Sequence, residues 1–141
     1  DGLRDHELNK SEIVVLGVSR TFKTPLSISL AYKGWFVANV PLVYNLQPPQ
    51  SIFEVPPEKV FCLTTNPHHL ATLRKYRSDT LGGHTGDYAS FEFVRKELQY
   101  SHQIYHRQPK WSIIKVTGKS IEEIASEIIA IRGNTERKKP K

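Results

Sequence analysis

The sequence predicts an α/β domain: a three-layer sandwich with a mainly parallel sheet, of the phosphate-loop nucleotide-binding type. Three observations support this. Short β-branched apolar runs alternate with segments of helical periodicity along the whole chain. Two of the turns from a run into a helical segment carry helix-start signals, Thr24-Pro25 and Asn66-Pro67. The length of 141 residues fits one domain of this class. Alternation of strand and helix favours a parallel sheet covered by helices on both faces.

The first strand and helix are predicted from a run at residues 13–18 and the segment after it. The run is short, β-branched and interrupted by glycine, which is typical of a strand buried on both faces. Thr24 is expected to be the N-cap of the next helix and Pro25 its first helical residue. The helix is expected to cover residues 26–33 and to end at Gly34.

The remaining elements are predicted from the same patterns. Prolines make residues 44–58 a loop, and Gly82, Gly83 and Gly86 predict a flexible break. Ser120 and Glu123 have the spacing of a capping box. The sequence predicts strands within residues 35–43, 60–65 and 112–116. It predicts one helix that starts at residue 66, a second over residues 88–105 and a third over residues 120–133.

Both ends of the chain are predicted to lie outside the domain. Residues 1–11 are polar and are expected to form a loop, residues 12–133 form the domain, and residues 134–141 form a basic disordered tail. The tail carries +3 of the net charge of +6, so the folded body is too weakly basic for a general nucleic-acid face. A solvated terminus is the favoured interpretation of the tail, and a nucleic-acid arm is the weaker alternative.

The cysteine content and the apolar runs of the sequence indicate the cellular compartment. Cys62 is the one cysteine, which excludes a disulfide within the chain and favours a reducing compartment. We expect it to be a small buried residue rather than a nucleophile. No apolar run is long enough to span a membrane, and no signal-peptide pattern is visible. A soluble intracellular protein with no membrane partner is therefore expected.

The turn between the first strand and the first helix carries the strongest chemical signal. It approximates the phosphate-loop template G-x-x-x-x-G-K-[ST], with Phe22 in place of the second glycine. In such a turn, backbone N–H groups and a helix N-terminus surround phosphate oxygens. The residues predicted to bind nucleotide are Gly17, Val18, Ser19, Arg20, Thr21, Phe22, Lys23 and Thr24.

Four polar side chains are predicted to act on the phosphates. Lys23 would neutralise the outer phosphates, and Arg20 would add a planar donor. The Thr24 hydroxyl would contact Mg²⁺. Lys119, at the end of the fourth predicted strand, is a further catalytic candidate, with an ordinary loop lysine as the alternative.

Other charged residues are weaker candidates. Arg74 and Arg77 lie three apart on one predicted helix, where they would either contact phosphate or target, or form a solvated face. Asp87 and Glu122 are candidate general bases, with cap or surface roles as the alternative.

Phe22 leaves two outcomes for the loop, because phenylalanine tolerates positive φ poorly. If its ring swings outward in an ordinary conformation, the turn still binds phosphate. If the ring points inward, it blocks the site.

The same turn and the segments after it resemble the regulatory proteins of pyruvate, phosphate dikinase and phosphoenolpyruvate synthase. Members carry a run like G-V-S-R-T-[GS]-K-T-P-L-S, matched here over residues 17–27 except at Phe22. Cys62 stands where the family usually has glycine. Family chains are about twice this length, so the match corresponds to their C-terminal half. Further matching segments are 33–34, 37–43, 59–61, 63–64, 73–74, Arg77, Tyr88, 97–98 and 116–123.

The resemblance implies a bifunctional enzyme that binds ADP at residues 17–24. Such enzymes use ADP to phosphorylate a threonine of the dikinase or synthase, and use inorganic phosphate to remove that phosphate as pyrophosphate. The implied compartment is the cytoplasm or the chloroplast stroma, and a homodimer is left open. The alternative is a homologue that binds the dikinase without turnover, because Phe22 disrupts the phosphate loop.

Overall fold

A computed structural model describes residues 8–80 and 90–137, with side chains over 8–76 and 90–133. Within this part the chain forms four strands, four long α-helices and a short helical segment at residues 8–10. Two short 3₁₀ helices, Gln50–Phe53 and Pro57–Lys59, interrupt the connection before the third strand. The strands are β1 Ile13–Gly17, β2 Val37–Pro41, β3 Val60–Thr64 and β4 Ser112–Lys115, and the helices are α1 Lys23–Tyr32, α2 Pro67–Thr80, α3 Phe91–His106 and α4 Ile121–Arg137.

All three strand pairings of the sheet are parallel, and the strand order is β2-β1-β3-β4. Val15 of β1 lies opposite Asn39 of β2 and Phe61 of β3. The chain therefore continues from β1 to one side and later returns to the other side of β1. Such a reversal leaves a crevice beyond the carboxyl ends of the strands, where ligands bind in open α/β sheets.

Strand β1 is buried on both faces, as its unbroken apolar run predicts. Val14 and Leu16 pack against α2 and α3, whereas Ile13 and Val15 pack against α1 and α4. The predicted three-layer arrangement is thus confirmed. The helical residues of the two cores are Leu70, Val94, Leu98, Ile104 and Tyr105 on one face, and Leu26, Leu30, Ile124, Ala125 and Ile128 on the other.

The start of α1 differs from the prediction. The helix begins at Lys23, and Phe22 occupies the N-cap position with φ 68° and no side-chain cap, so the prediction of Thr24 as N-cap is wrong. Pro25 still lies in the first turn, where its missing N–H removes no helical hydrogen bond. Gly34, with φ 95°, lies just after the helix as predicted, and its N–H donates to Ala31 O at 2.9 Å.

The two other predicted helix starts are confirmed. Asn66 Oδ1 accepts the backbone N–H of His68 at 2.8 Å and that of His69 at 3.3 Å. At α4, Glu123 N donates to Ser120 Oγ at 3.1 Å and Ser120 N donates to Glu123 Oε1 at 3.2 Å. This reciprocal pair is the predicted capping box.

The predicted ends of the domain are wrong in part. Residues 8–10 are helical rather than loop, because Leu8 inserts its side chain into the core beside α2 and α3. Helix α4 continues through Gly133 to Arg137, so residues 134–137 are not disordered. One glycine in a helix costs only about 1 kcal/mol, which does not force termination. The predicted break at 82–86, Tyr88 and residues 138–141 lie outside the described residues.

Aromatic contacts fix the connection after β2 to α3 and to Trp111, the residue before β4. Tyr44 packs edge-on against Phe93 and Tyr100, with centroid distances of 6.0 and 5.8 Å. Phe53 stacks on Trp111 at 5.3 Å. These contacts hold the end of β2 in place, which matters because it forms one wall of the candidate site. Over the described residues, no helix combines the length and apolarity needed to cross a membrane.

Candidate functional site

The loop between β1 and α1 opens into a cavity of about 670 Å³ at the carboxyl end of the sheet. The cavity lies between this loop, the end of β2 and helix α2, as the strand order leads one to expect. Its size falls within the range of small-molecule sites. The lining residues are Ser19, Arg20, Phe22, Lys23, Thr24, Pro25, Pro41, Leu42, Val43, Leu73 and Tyr76.

Gly17 allows the loop to fold back on itself. A Cβ atom at this position would lie 2.6 Å from Thr21 Oγ1 and 3.4 Å from Leu63 Cβ. Thr21 is fully buried and donates its hydroxyl proton to Val18 O at 2.7 Å. The first glycine of the template is therefore needed because the turn approaches it closely.

Two non-glycine residues of the loop, Arg20 and Phe22, have a positive φ of 68°. The left-handed conformation costs roughly 1–2 kcal/mol per residue for an L-amino acid. Positive φ at closely spaced positions is typical of backbone turns that direct successive N–H groups inward to an anion. The loop thus holds two left-handed residues without the second glycine of the template.

Phe22 takes a left-handed conformation, at the position where the template has its second glycine. Of the two outcomes left open for its ring, an outward ring in an ordinary conformation is therefore not the one that the structure shows. Its half-buried ring packs against the core between the sheet and helices α1 and α4. The cavity persists beside it, with Phe22 as one of its lining residues. Packing of the ring against this core offsets part of the backbone strain.

Lys23 spans the loop from the first turn of α1. Its Nζ donates to Val18 O at 2.8 Å and its side chain is half-buried. Burial and, to a smaller extent, the positive charge of Arg74 lower the pKa of Lys23 to about 8, while the charge of Glu97 opposes the shift. The ammonium group is therefore held in a position where an additional anion would stabilise its charge.

Arg74 supports the loop from inside the protein. Its guanidinium group is fully buried, donates to Ser19 O at 3.0 Å and forms an ion pair with Glu97 of α3. Arg74 has no exposed surface, so the alternative of a solvated face is wrong for this residue, and contact of Arg74 with phosphate or target stays a prediction. Arg77 is on α2, but its side chain lies outside the described part of the chain.

The remaining predicted site residues divide into two groups. Arg20 and Thr24 are exposed and line the cavity. Lys119 lies elsewhere: its Nζ is paired with Glu127 Oε1 at 2.8 Å, and the cavity lining does not include it, so the structure does not bring this catalytic candidate to the site.

The candidate bases are not placed at the cavity either. Glu122 accepts from Lys33 Nζ at 3.2 Å and from Ser29 Oγ at 3.1 Å on an exposed surface of α1 and α4, and these contacts lower its pKa. Asp87 lies outside the described residues. Cys62 is buried as predicted, and burial raises the pKa of its thiol.

Two residues that shape the site were not predicted from the sequence. Glu97 was identifiable in principle, because it shares the apolar face of α3 with Val94, Leu98 and Ser101. A carboxylate on a buried face requires a partner. Tyr76 gave no such signal, since an exposed tyrosine on a helix is ordinary.

Comparison of this sequence with known protein families identifies the family of the chain. The kinase/pyrophosphorylase family model matches residues 1–129. This chain belongs to the kinase/pyrophosphorylase family. The family assignment agrees with the resemblance carried by residues 17–27 and the segments after them.

The similar curated proteins are regulatory proteins of pyruvate, phosphate dikinase. A probable chloroplastic one from Oryza sativa subsp. indica is 50% identical over 93% of this chain and 28% of its own length. The chloroplastic one from Zea mays is 47% identical over 98% of this chain and 33% of its own. A putative one from Geobacter metallireducens is 46% identical over 92% of this chain and 48% of its own. The chain spans about half or less of each relative.

The close approach at Gly17 predicts the effect of a single methyl group. Gly17→Ala is expected to lower the free energy of unfolding by about 1–3 kcal/mol, because the new Cβ overlaps Thr21 Oγ1. Adding Thr21→Ala removes that oxygen, so the double variant should lose less than the sum of the single changes. Urea denaturation followed by circular dichroism measures both.

Gly133→Ala is the matched control, since nothing lies within 4 Å of its added Cβ and the position is helical. This variant should be stabilised by up to about 1 kcal/mol. A Gly17→Ala variant within about 0.5 kcal/mol of the wild type would contradict the close approach.

The pKa of Lys23 predicts a pH dependence. NMR titration of its side chain should give a midpoint near 8. Between pH 8 and the unfolded value of 10.5, the unfolded chain binds more protons at this position than the folded chain does. The unfolding free energy of the wild type should therefore rise with pH in this window relative to Lys23→Met. Denaturation at pH 8 and at pH 10.5 measures whether the unfolding free energy rises over this window. A titration midpoint above 10 would contradict the lowered pKa of Lys23.

Proposed function

We propose that this chain binds the phosphates of ADP on the loop 17–24 and takes part in reversible phosphorylation of a dikinase. The observation that carries the proposal is the position of Lys23, whose ammonium group is fixed by Val18 O beside a cavity at the carboxyl end of the sheet. Membership of the kinase/pyrophosphorylase family supports the reaction class.

The charges around the cavity favour an anion. Arg20 and Lys23 line it, and its described lining contains no carboxylate. Leu26 N makes the first helical hydrogen bond, to Phe22 O at 3.0 Å, and Pro25 has no N–H. The amides of Lys23 and Thr24 are therefore the groups that the positive end of α1 can present to phosphate oxygens.

In the proposed phosphorylation, a threonine hydroxyl of the target attacks the β-phosphorus of ADP, the bond from this phosphorus to the bridging oxygen breaks, and AMP and the hydroxyl proton leave. In the proposed dephosphorylation, inorganic phosphate attacks the phosphorus of the phosphothreonine, the bond from this phosphorus to the threonine oxygen breaks, the oxygen takes a proton, and pyrophosphate leaves. Both steps move charge among phosphate oxygens, so a fixed ammonium and guanidinium group would stabilise the transition state. Lys23 and Arg20 would supply these groups. Thr24 would help to hold Mg²⁺, which would neutralise phosphate charge when bound.

The names of the relatives indicate the target and the compartment. Each is called a regulatory protein of pyruvate, phosphate dikinase, and the rice and maize proteins are called chloroplastic. We propose the dikinase as the target, with phosphoenolpyruvate synthase as the alternative. The chloroplast stroma or the cytoplasm is the proposed compartment.

Transfer of radiolabel from [β-³²P]ADP to a pyruvate, phosphate dikinase tests the activity. The wild-type protein is expected to label a threonine of the dikinase and to remove that label when inorganic phosphate is added. Lys23→Ala should reduce transfer at least 100-fold, because the transition state loses a fixed charge worth about 3 kcal/mol. If calorimetry shows that ADP binds but no label is transferred, the kinase proposal is contradicted.

A second candidate is a module that contacts the dikinase without turnover, and the strained backbone at Phe22 favours it. Phe22→Gly separates the two candidates. If the left-handed turn is already competent, this variant should bind ADP within about threefold of the wild type, a difference under 1 kcal/mol. If Phe22 prevents binding, ADP should bind only to the variant. Calorimetry on both proteins measures the difference, and the second outcome would favour the binding module.

A further inference from the structure

The lining of the cavity combines two kinds of chemistry. The loop and the first turn of α1 contribute the polar side chains of Arg20, Lys23 and Thr24. The elements that face the cavity from outside this loop contribute apolar side chains, Val43 after β2 with Leu73 and Tyr76 on α2. We call this set of three residues the apolar wall.

Two residues of the apolar wall are exposed. Tyr76 has 74% of its surface exposed and Val43 has 51%. Both line the same cavity as Arg20 and Lys23, so their exposure is not that of isolated surface residues. Concave apolar surfaces with a few polar groups at one end are typical of small-molecule sites.

We propose that the apolar wall binds the nucleobase of the nucleotide, with the ring of Tyr76 stacked on the face of the base. This inference rests on the proposed function, because the phosphates of the same molecule lie at Lys23. A nucleoside diphosphate carries a flat apolar base at one end and anionic oxygens at the other. The cavity lining offers an apolar surface and cationic groups to these two parts of the ligand.

The structure gives reasons why the base occupies this wall. Loop 17–24, the end of β2 and helix α2 converge at the carboxyl end of the sheet, so both ends of one ligand contact the same cavity. Bases stack on aromatic side chains regardless of their hydrogen-bonding edges. Arg74, two residues before Tyr76 on α2, is bonded to Ser19 O of the loop. This bond fixes the distance between the helix that carries the ring and the loop that carries the cations.

Calorimetry with two probes, ADP and inorganic pyrophosphate, tests the assignment. Tyr76→Ala should weaken ADP binding about tenfold and leave pyrophosphate binding within twofold, because pyrophosphate has no base. Tyr76→Phe should retain ADP binding, since the ring is kept. Lys23→Ala should weaken both probes. The matched control is Tyr32→Ala, which removes a tyrosine that is 90% exposed on α1 and does not line this cavity.

Two results would overturn this inference and leave the proposed function intact. The first is ADP binding by Tyr76→Ala equal to that of the wild type. The second is an equal loss of pyrophosphate binding in Tyr76→Ala, which would show that Tyr76 supports the loop and not the base. If the wild type binds neither ADP nor pyrophosphate, the proposed function fails together with the inference.

Discussion

The site depends on one backbone oxygen, the carbonyl of Val18. It accepts a hydrogen bond from the Thr21 hydroxyl at 2.7 Å and another from the Lys23 ammonium at 2.8 Å. These bonds tie the middle and the end of the loop to its beginning. They hold a turn that contains two left-handed residues, which would otherwise relax to less strained conformations. Without this carbonyl in place, the ammonium group would not be fixed at the cavity.

A second layer of contacts supports the turn from beneath. Arg74 joins Ser19 O to Glu97, and so links the loop to helices α2 and α3. Both charged groups are buried, and removal of one partner of such a pair typically costs about 3–5 kcal/mol. The same two charges act in opposite directions on the pKa of Lys23. The pair therefore affects both the shape of the loop and the charge state of its lysine.

Much of the fold could be predicted from local patterns. The unbroken apolar run of β1, the Asn66-Pro67 start and the Ser120–Glu123 capping box each act over a few residues, and all are present as predicted. The helical turn at Leu8 could not be predicted, because a distant core stabilises it. The conformation of Phe22 was also missed, since propensity disfavours it and only the surrounding contacts hold it.

The sequence indicated which loop lines the cavity, but it did not indicate which distant charged residues lie near that loop. The loop, Lys23 and Thr24 obey a spacing rule, and they lie together at the cavity. Lys119 was selected for its position after a strand, yet its ion pair with Glu127 holds it elsewhere. Arg74 is not part of a solvated face, because it pairs with Glu97, 23 residues away, and nothing in the sequence indicates this pairing. Pairings between distant segments determine which charges face a ligand.

Two walls of the cavity rest on opposite faces of the sheet. Helix α1, which carries Lys23, rests on the core of one face, and helix α2, which carries Tyr76, rests on the core of the other. Strand β1 contributes to both cores. A change of side-chain volume in either core would therefore displace one wall relative to its counterpart. The width of the cavity therefore depends on the packing of both cores.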